Sequence, residues 1–272
     1  MNVLDTVWFK GFVRMADDGY NMGWHECNGG NLSYRIKSEE IDEVRDCLKE
    51  GAWSDIGTDV PDLAGEFFVI TGTGKYFRNI ILDPEDTLGI IEVNDKGTGY
   101  RTVWGYVNGA RPTSELPAHL MNQQIKKRVT GGEYRVVYHA HPSNVIALTF
   151  VLPLKDEVFT RELWGIMTEC PLVIPRGIGV VPWLVPGSVE LGRATADLMD
   201  RYDAAIWAHH GMFATGKSFD STFGLMHTVE KSAGILIKQM STGRDKINHI
   251  TADQFRELAD RFSLKLDESF LV

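Results

Sequence analysis

The chain predicts a single α/β domain over residues 1–272, and three observations carry that reading. Short apolar runs of strand length, such as Phe67-Phe68-Val69-Ile70 and Tyr134-Arg135-Val136-Val137-Tyr138, punctuate the whole sequence. Between them lie longer segments whose apolar residues recur at helical spacing, so strands and helices interleave from end to end. No internal repeat, low-complexity stretch or linker divides the chain.

Leu4, Val7, Trp8, Phe12 and Met15 fall on one helical face, so the first element is an amphipathic helix with Gly23 as its stop. The loop Asn28-Gly29-Gly30-Asn31 follows. Leu32, Tyr34 and Ile36 then alternate with Ser33, Arg35 and Lys37, the pattern of a strand with one buried face. Ile41, Val44 and Leu48 predict a short helix, and residues 51–65 a connection containing Gly and Asp. The strand Phe67-Phe68-Val69-Ile70 runs into a second glycine loop, Thr71-Gly72-Thr73-Gly74-Lys75. Residues 88–93 and 100–107 read as an antiparallel hairpin around Asn94-Asp95-Lys96-Gly97. Pro112-Thr113-Ser114-Glu115 opens a helix carrying Leu116, His119, Leu120 and Ile125.

After the strand ending at Tyr138, helical stretches are predicted over residues 145–151 and 158–167, then a short strand, Pro171-Leu172-Val173-Ile174-Pro175, between prolines. A helix capped by Ser188 reaches Asp200, Ala204-Ala205-Ile206-Trp207-Ala208 is a strand, and a long helix covers residues 221–240. Phe255, Leu258 and Phe262 mark a final helix.

Composition narrows the function classes. With 43% hydrophobic and 24% charged residues the chain is an ordinary globular protein, long enough for a sizeable core. A net charge of -9, with no dense stripe of Lys and Arg, argues against a nucleic-acid partner. No apolar run reaches the ~18 residues of a membrane span. Met1-Asn2-Val3-Leu4-Asp5 has neither a basic n-region nor an apolar h-region, so a cytoplasmic protein is expected. Cys27, Cys47 and Cys170 are odd in number and scattered, as suits reduced thiols; Cys27, next to a glycine-rich loop, could line a site, but a small buried apolar role is the expectation.

The chemistry centres on Tyr138-His139-Ala140-His141. Alternate residues of a strand share a face, so His139 and His141 point the same way and supply two-thirds of an open, catalytic His₃ metal site. A third imidazole is available where the second apolar run ends in His209-His210-Gly211; one of that pair can join, and spacing leaves the choice open. Singly, each histidine reads first as an ordinary strand residue with satisfied hydrogen bonds, and it is the H-x-H together with a histidine at a second strand end that favours the metal. The two glycine loops and Thr113-Ser114 offer backbone N–H groups and short hydroxyls that can hold a phosphate, although each loop alone is commonly just a turn. Glu115, at a helix start, either complements the helix dipole or acts as a general base beside a metal. Glu169, in Met167-Thr168-Glu169-Cys170-Pro171, is either a solvated loop acid or a buried one with a raised pKa suited to proton delivery.

Taken together, Asn28-Gly29-Gly30-Asn31-Leu32, Thr71-Gly72-Thr73-Gly74-Lys75-Tyr76-Phe77, Thr113-Ser114-Glu115-Leu116-Pro117-Ala118-His119, His139-Ala140-His141 and His210-Gly211 resemble the class II aldolase/adducin family in order and context. The resemblance covers nearly the whole chain, including residues 163–171 and 222–238. It implies an α/β/α domain around a central, mostly antiparallel sheet, assembled as a four-fold symmetric homotetramer with active sites at subunit boundaries. It implies one Zn²⁺ per chain on His139, His141 and His210, with Glu115 as general base. A phosphate cradle is implied on Asn28, Gly29, Asn31, Thr73, Thr113 and Ser114, with Gly72 and Gly74 shaping the second loop. Thr73 stands where relatives carry Ser, which keeps the hydroxyl. Glu169 matches an acid that reaches a neighbouring subunit's site.

The implied substrate is a small sugar phosphate, a ketose 1-phosphate cleaved reversibly to dihydroxyacetone phosphate and L-lactaldehyde. Lys75 is then a phosphate-side charge or a solvated residue, since no Schiff base is required. Sister activities on the same scaffold, a fuculose-phosphate aldolase or a pentulose-phosphate 4-epimerase, use the same metal logic. A non-catalytic adducin-like scaffold or a zinc hydrolase would be alternatives of a different class.

Overall fold

The computed structural model describes residues 1–271. Helix α1 (Val7–Asn21) is capped by the Thr6 side chain, which accepts from Phe9 N, and Gly23 at φ +77 turns the chain out of it. Strand β1 (Asn31–Arg35), helix α2 (Ser38–Val44) and strand β2 (Trp53–Asp55) precede β3 (Phe67–Thr71). The single turn α3 (Pro84–Thr87) leads to the hairpin of β4 (Leu88–Val93) and β5 (Gly99–Gly105). Helix α4 (Leu116–Val129) feeds β6 (Val136–Ala140). Three helices follow, α5 (Ser143–Leu148), α6 (Asp156–Ile166) and α7 (Glu169–Val173), before β7 (Gly179–Val181). Helix α8 (Val189–Met199), the hairpin β8 (Ala204–Trp207) and β9 (Gly211–Gly216), then α9 (Phe219–Met240) and α10 (Ala252–Phe262) complete the described chain.

The nine strands of the described residues form one sheet in the order β2-β5-β4-β3-β1-β6-β9-β8-β7. Every pairing is antiparallel except β7 with β8, so the sheet is mostly antiparallel, as the family resemblance implies. Alternation along each strand divides the apolar residues between two faces. Leu32, Val69, Ile90, Tyr138, Ile206 and Ala214 join one core with α1, α5, α6 and α9. Phe68, Ile70, Ile91, Val137, Trp207 and Phe213 face the other way, against α4 and α8. Helices on both faces of a mixed-composition sheet make the α/β/α layering.

Where the sequence expectations fail, burial on both sides explains most of it. All five residues of β1 are buried, because the strand lies at the middle of the sheet under helices on both faces. Its polar residues are accordingly paired: Ser33 with His119, and Arg35 with Gly132 O and Glu66. Residues 51–65 contain the edge strand β2 and a 3₁₀ turn at Pro61–Leu63. Pro171, Leu172 and Val173 of the expected strand belong to helix α7, and Ile174 caps its end; proline's fixed φ suits a first turn. Strand β9 has no alternating signature because both its faces are buried. Val7 is 88% exposed and Phe262 56%, so neither belongs to the core.

Candidate active site and metal centre

His139 lies in β6 and His141 one residue past its end, and their ring centroids are 5.0 Å apart. The third imidazole is His210, in the turn joining β8 to β9, and one ring nitrogen from each of the three lies within 4.8 Å of the others. That turn can close because residue 211 is glycine: a Cβ there would sit 2.4 Å from Ala140 O and 3.0 Å from the His141 ring. His209 points elsewhere, toward Thr149 Oγ1 at 3.1 Å and the Phe150 ring at 4.3 Å, from a left-handed backbone at φ +61.

The donor set fits a divalent cation. His139 donates from Nδ1 to Met212 O at 3.1 Å, and His141 donates from Nδ1 to Glu26 Oε1 at 2.6 Å. Both protons are thereby placed on Nδ1, and the two bare Nε2 atoms face each other at 3.2 Å. Two lone pairs so close repel in the absence of a cation, whereas two nitrogens at ~2.0–2.1 Å from one tetrahedral ion sit roughly 3.3 Å apart. His210 Nδ1 is buried with no partner among the described residues. Burial holds the His139 imidazole well below its usual pKa, with His141 adding to the effect, and pushes His210 down to about 4. Neutral imidazoles are what a metal needs.

These histidines form one wall of a cleft of about 160 Å³. The opposite walls are three loops: Asn28, Gly29, Gly30 and Asn31; Gly72, Thr73 and Gly74; and Thr113, Ser114 and Glu115. Backbone bonds lock the second loop to the third, from Thr73 N to Arg111 O (2.9 Å) and from Thr113 N to Thr71 O (2.9 Å). Gly30, at φ +78, brings the first loop against the metal wall; a Cβ there would lie 2.7 Å from His139 O and 2.5 Å from His25 Nδ1. Asn28, Gly74 and Ser114 are exposed, whereas Asn31, Thr113 and Glu115 are buried. Among the described residues lining the cleft none is Lys or Arg, so backbone N–H groups and hydroxyls are its anion-binding parts.

Glu115 occupies the N-cap position of α4, but its side chain makes no capping bond. The carboxylate instead turns into the cleft and accepts from Asn31 Nδ2 at 2.9 Å. Burial raises its pKa above the ordinary carboxylate value, partly offset by that hydrogen bond.

His139, His141, His210, Glu115 and the six phosphate-cradle residues Asn28, Gly29, Asn31, Thr73, Thr113 and Ser114 therefore line one cleft, and Glu169 does not. It stands exposed at the start of α7, which removes, within a single chain, the buried setting considered for it. Lys75 is paired with Asp86 at 2.7 Å and does not line the cleft either. Cys27 is exposed and not buried, at φ +47 in the turn before Asn28. Sequence reasoning missed three supporting residues. Glu26 orients His141; His25, stacked on Phe77 at 3.6 Å, donates to Gly29 O and accepts from Tyr138 OH; His119 packs behind Asn31. Only the density of histidines around the motifs hinted at them.

A fold of this kind, carrying three imidazoles and a buried carboxylate in one cleft, defines a class of enzyme. Residues 11–237 match the Class II Aldolase and Adducin N-terminal domain. The chain belongs to that family and is a class II aldolase, a lyase of a metal-dependent class. It is 44% identical to the rhamnulose-1-phosphate aldolase of Mannheimia succiniciproducens, over 97% of each chain. It is 41% identical to that of Klebsiella pneumoniae, over 100% of this chain and 99% of the relative. A sugar-phosphate aldolase from Thermotoga maritima, 28% identical, superposes with a TM-score of 0.74 over 87% of this chain and 96% of that one. The L-fuculose-1-phosphate aldolase from Thermus thermophilus shares the fold at 22% identity and a TM-score of 0.58, over 88% of this chain and 97% of that one.

Proposed function

We propose that this chain reversibly cleaves L-rhamnulose 1-phosphate to dihydroxyacetone phosphate and L-lactaldehyde in the cytoplasm, with one Zn²⁺ per chain. The observation that carries the reading is full-length similarity, at 41–44% identity, to relatives named for that substrate, in a chain whose cleft gathers the three imidazoles, Glu115 and the phosphate-binding candidates.

His139, His141 and His210 hold the ion, which when bound supplies Lewis-acid polarisation of the carbonyl of the three-carbon fragment. Asn28, Gly29, Asn31, Thr73, Thr113 and Ser114 bind the phosphate, so the fragment is fixed at both ends and its carbon is brought to Glu115. Glu115 removes a proton from that carbon in the condensation direction and returns it in cleavage. Its partly desolvated carboxylate is a stronger base than one in water. No lysine stands among the described residues lining the cleft, so an amine nucleophile for Schiff-base chemistry is missing there.

The chain works as a homotetramer in which a neighbour closes the cleft and brings Glu169 to deliver a proton on the aldehyde side. Large apolar side chains left bare near the cleft support that assembly: Phe150 against His209, and Trp183 and Val185 on the segment leading to Gly187 beside Ser114. The experiment that tests the substrate is a coupled assay for dihydroxyacetone phosphate, with rhamnulose, fuculose and ribulose phosphates given in turn. Turnover highest on rhamnulose 1-phosphate is the expected result. Faster release from fuculose 1-phosphate, or epimerisation of the pentulose phosphate without release, would replace the reading with that activity.

A further inference from the structure

A line of buried polar groups runs from Glu115 back into the core. Asn31 Nδ2 lies 2.9 Å from Glu115 Oε2, and the other end of the same amide, Oδ1, meets His119 Nε2. His119 Nδ1 is 2.7 Å from Ser33 Oγ, which accepts from Gln123 Nε2 at 3.4 Å. Gln123 Nε2 also donates to Arg135 O at 2.8 Å. His119, Ser33 and Gln123 are fully buried and Asn31 is 5% exposed, so water does not rearrange these bonds. The Phe213 ring, 5.5 Å away and edge-on, fixes the plane of the His119 imidazole.

Such a chain of bonds has one consistent polarity. An ionised carboxylate only accepts, so Asn31 must turn its NH₂ toward Glu115 and its carbonyl toward His119. His119 must then carry its proton on Nε2, and its bare Nδ1 takes the Ser33 hydroxyl proton. The opposite tautomer would reverse the amide and set Asn31 Oδ1 against the Glu115 carboxylate, acceptor against acceptor.

We propose that His119, which does not line the cleft, is a positioning residue: its Nε2–H locks the Asn31 amide, and that amide aims Glu115 and holds it as an anion. Asn31 then serves the base as well as, and ahead of, any phosphate. The inference rests on the reading of Glu115 as the base. It predicts that damage to His119 is felt in turnover and proton transfer, with metal and substrate binding spared. Misdirecting a base by about 1 Å costs on the order of 10² in rate.

The test uses the metal-loaded enzyme. Long-range ¹H–¹⁵N spectra of histidine-labelled protein, with the His119 signals assigned by their loss in His119→Phe, should show a neutral ring protonated on Nε2. His119→Phe and Asn31→Ala should each lower kcat by about 10- to 100-fold with metal content near wild type, and His119→Phe, which leaves the phosphate cradle intact, should also keep the wild-type KM for rhamnulose 1-phosphate. The double variant should be no worse than the worse single one, since both changes break one line of bonds. His119→Gln, which can still donate to Asn31, should recover part of the loss.

A proton on Nδ1, a raised KM with unchanged kcat, or additive losses would overturn the proposal. Glu115→Gln serves as the reference. If it exchanges the carbon-bound proton of dihydroxyacetone phosphate at the wild-type rate, the base role falls and this proposal with it. An Nδ1 proton on His119 alongside a silenced Glu115→Gln overturns this proposal alone.

Discussion

Two stretches of this chain have the same local pattern and different surroundings. Glu115-Leu116-Pro117 opens α4 and Glu169-Cys170-Pro171 opens α7, each a glutamate at a helix start with a proline two residues on. Glu115 is 8% exposed, held by Asn31, and faces three imidazoles across a cleft. Glu169 is exposed, and its helix packs on α6 and α9 and does not line that cleft. Local sequence thus sets where a carboxylate starts a helix. What lies opposite decides whether it is a base.

The contrast is broken most completely by removing what Glu115 faces. His210→Ala should lose both the metal and the activity, whereas His209→Ala, whose ring turns to Thr149, should keep both; elemental analysis of the two purified variants decides. The opposite order would overturn the ligand assignment. Next in size, Glu115→Gln should fold and keep its metal yet lose cleavage and carbon-proton exchange by on the order of 10² or more. Its wild-type counterpart should lose exchange on acidification at a higher pH than an ordinary glutamate, because protonation of a buried carboxylate sets in earlier.

Glu169 sharpens the comparison from the other side. If it serves a neighbour, Glu169→Ala and His141→Ala chains should each be nearly inactive alone and regain a fraction of activity when dissociated and reassembled together. Hybrids seen by native mass spectrometry with no recovered activity would leave Glu169 without that role.

The smallest effect comes from the buried histidines behind the cleft. Burial pushes His25 and His119 down to about 3, below the ~6.5 of an unfolded histidine. Below pH 6.5 the unfolded chain therefore binds more protons than the folded one. Their contribution is fully present above that pH and falls as pH drops toward 3, by about 1.4 kcal/mol per unit for each group. Urea unfolding at pH 7 and pH 5 should show the loss, and His25→Phe or His119→Phe should flatten the slope. A chain that gains stability on acidification would contradict the burial.

Much of this was legible in the sequence. The helical spacing of Trp8, Phe12 and Met15, the hairpin around residues 94–97 and the shared face of His139 and His141 all follow from periodicities contained within a few residues. The glycine loops beside strands were legible for the same reason, as was the presence of one candidate ligand in the His209-His210 pair. Which of the two turns inward depended on a left-handed residue at 209 and on glycine at 211, where a Cβ would come within 2.4 Å of Ala140 O at the end of β6.

Tertiary structure alone decided the rest. That β1 is covered on both faces, that β9 is a strand without alternation, and that Pro171 lies in the first turn of a helix depend on the layers packed around them. Above all, Asn31 meets Glu115 across 84 residues of chain and His119 across 88. Local sequence records what a residue can donate or accept. Only the folded layers bring the buried partner that makes one of those bonds obligatory, since leaving it unmade away from water costs about 1–3 kcal/mol.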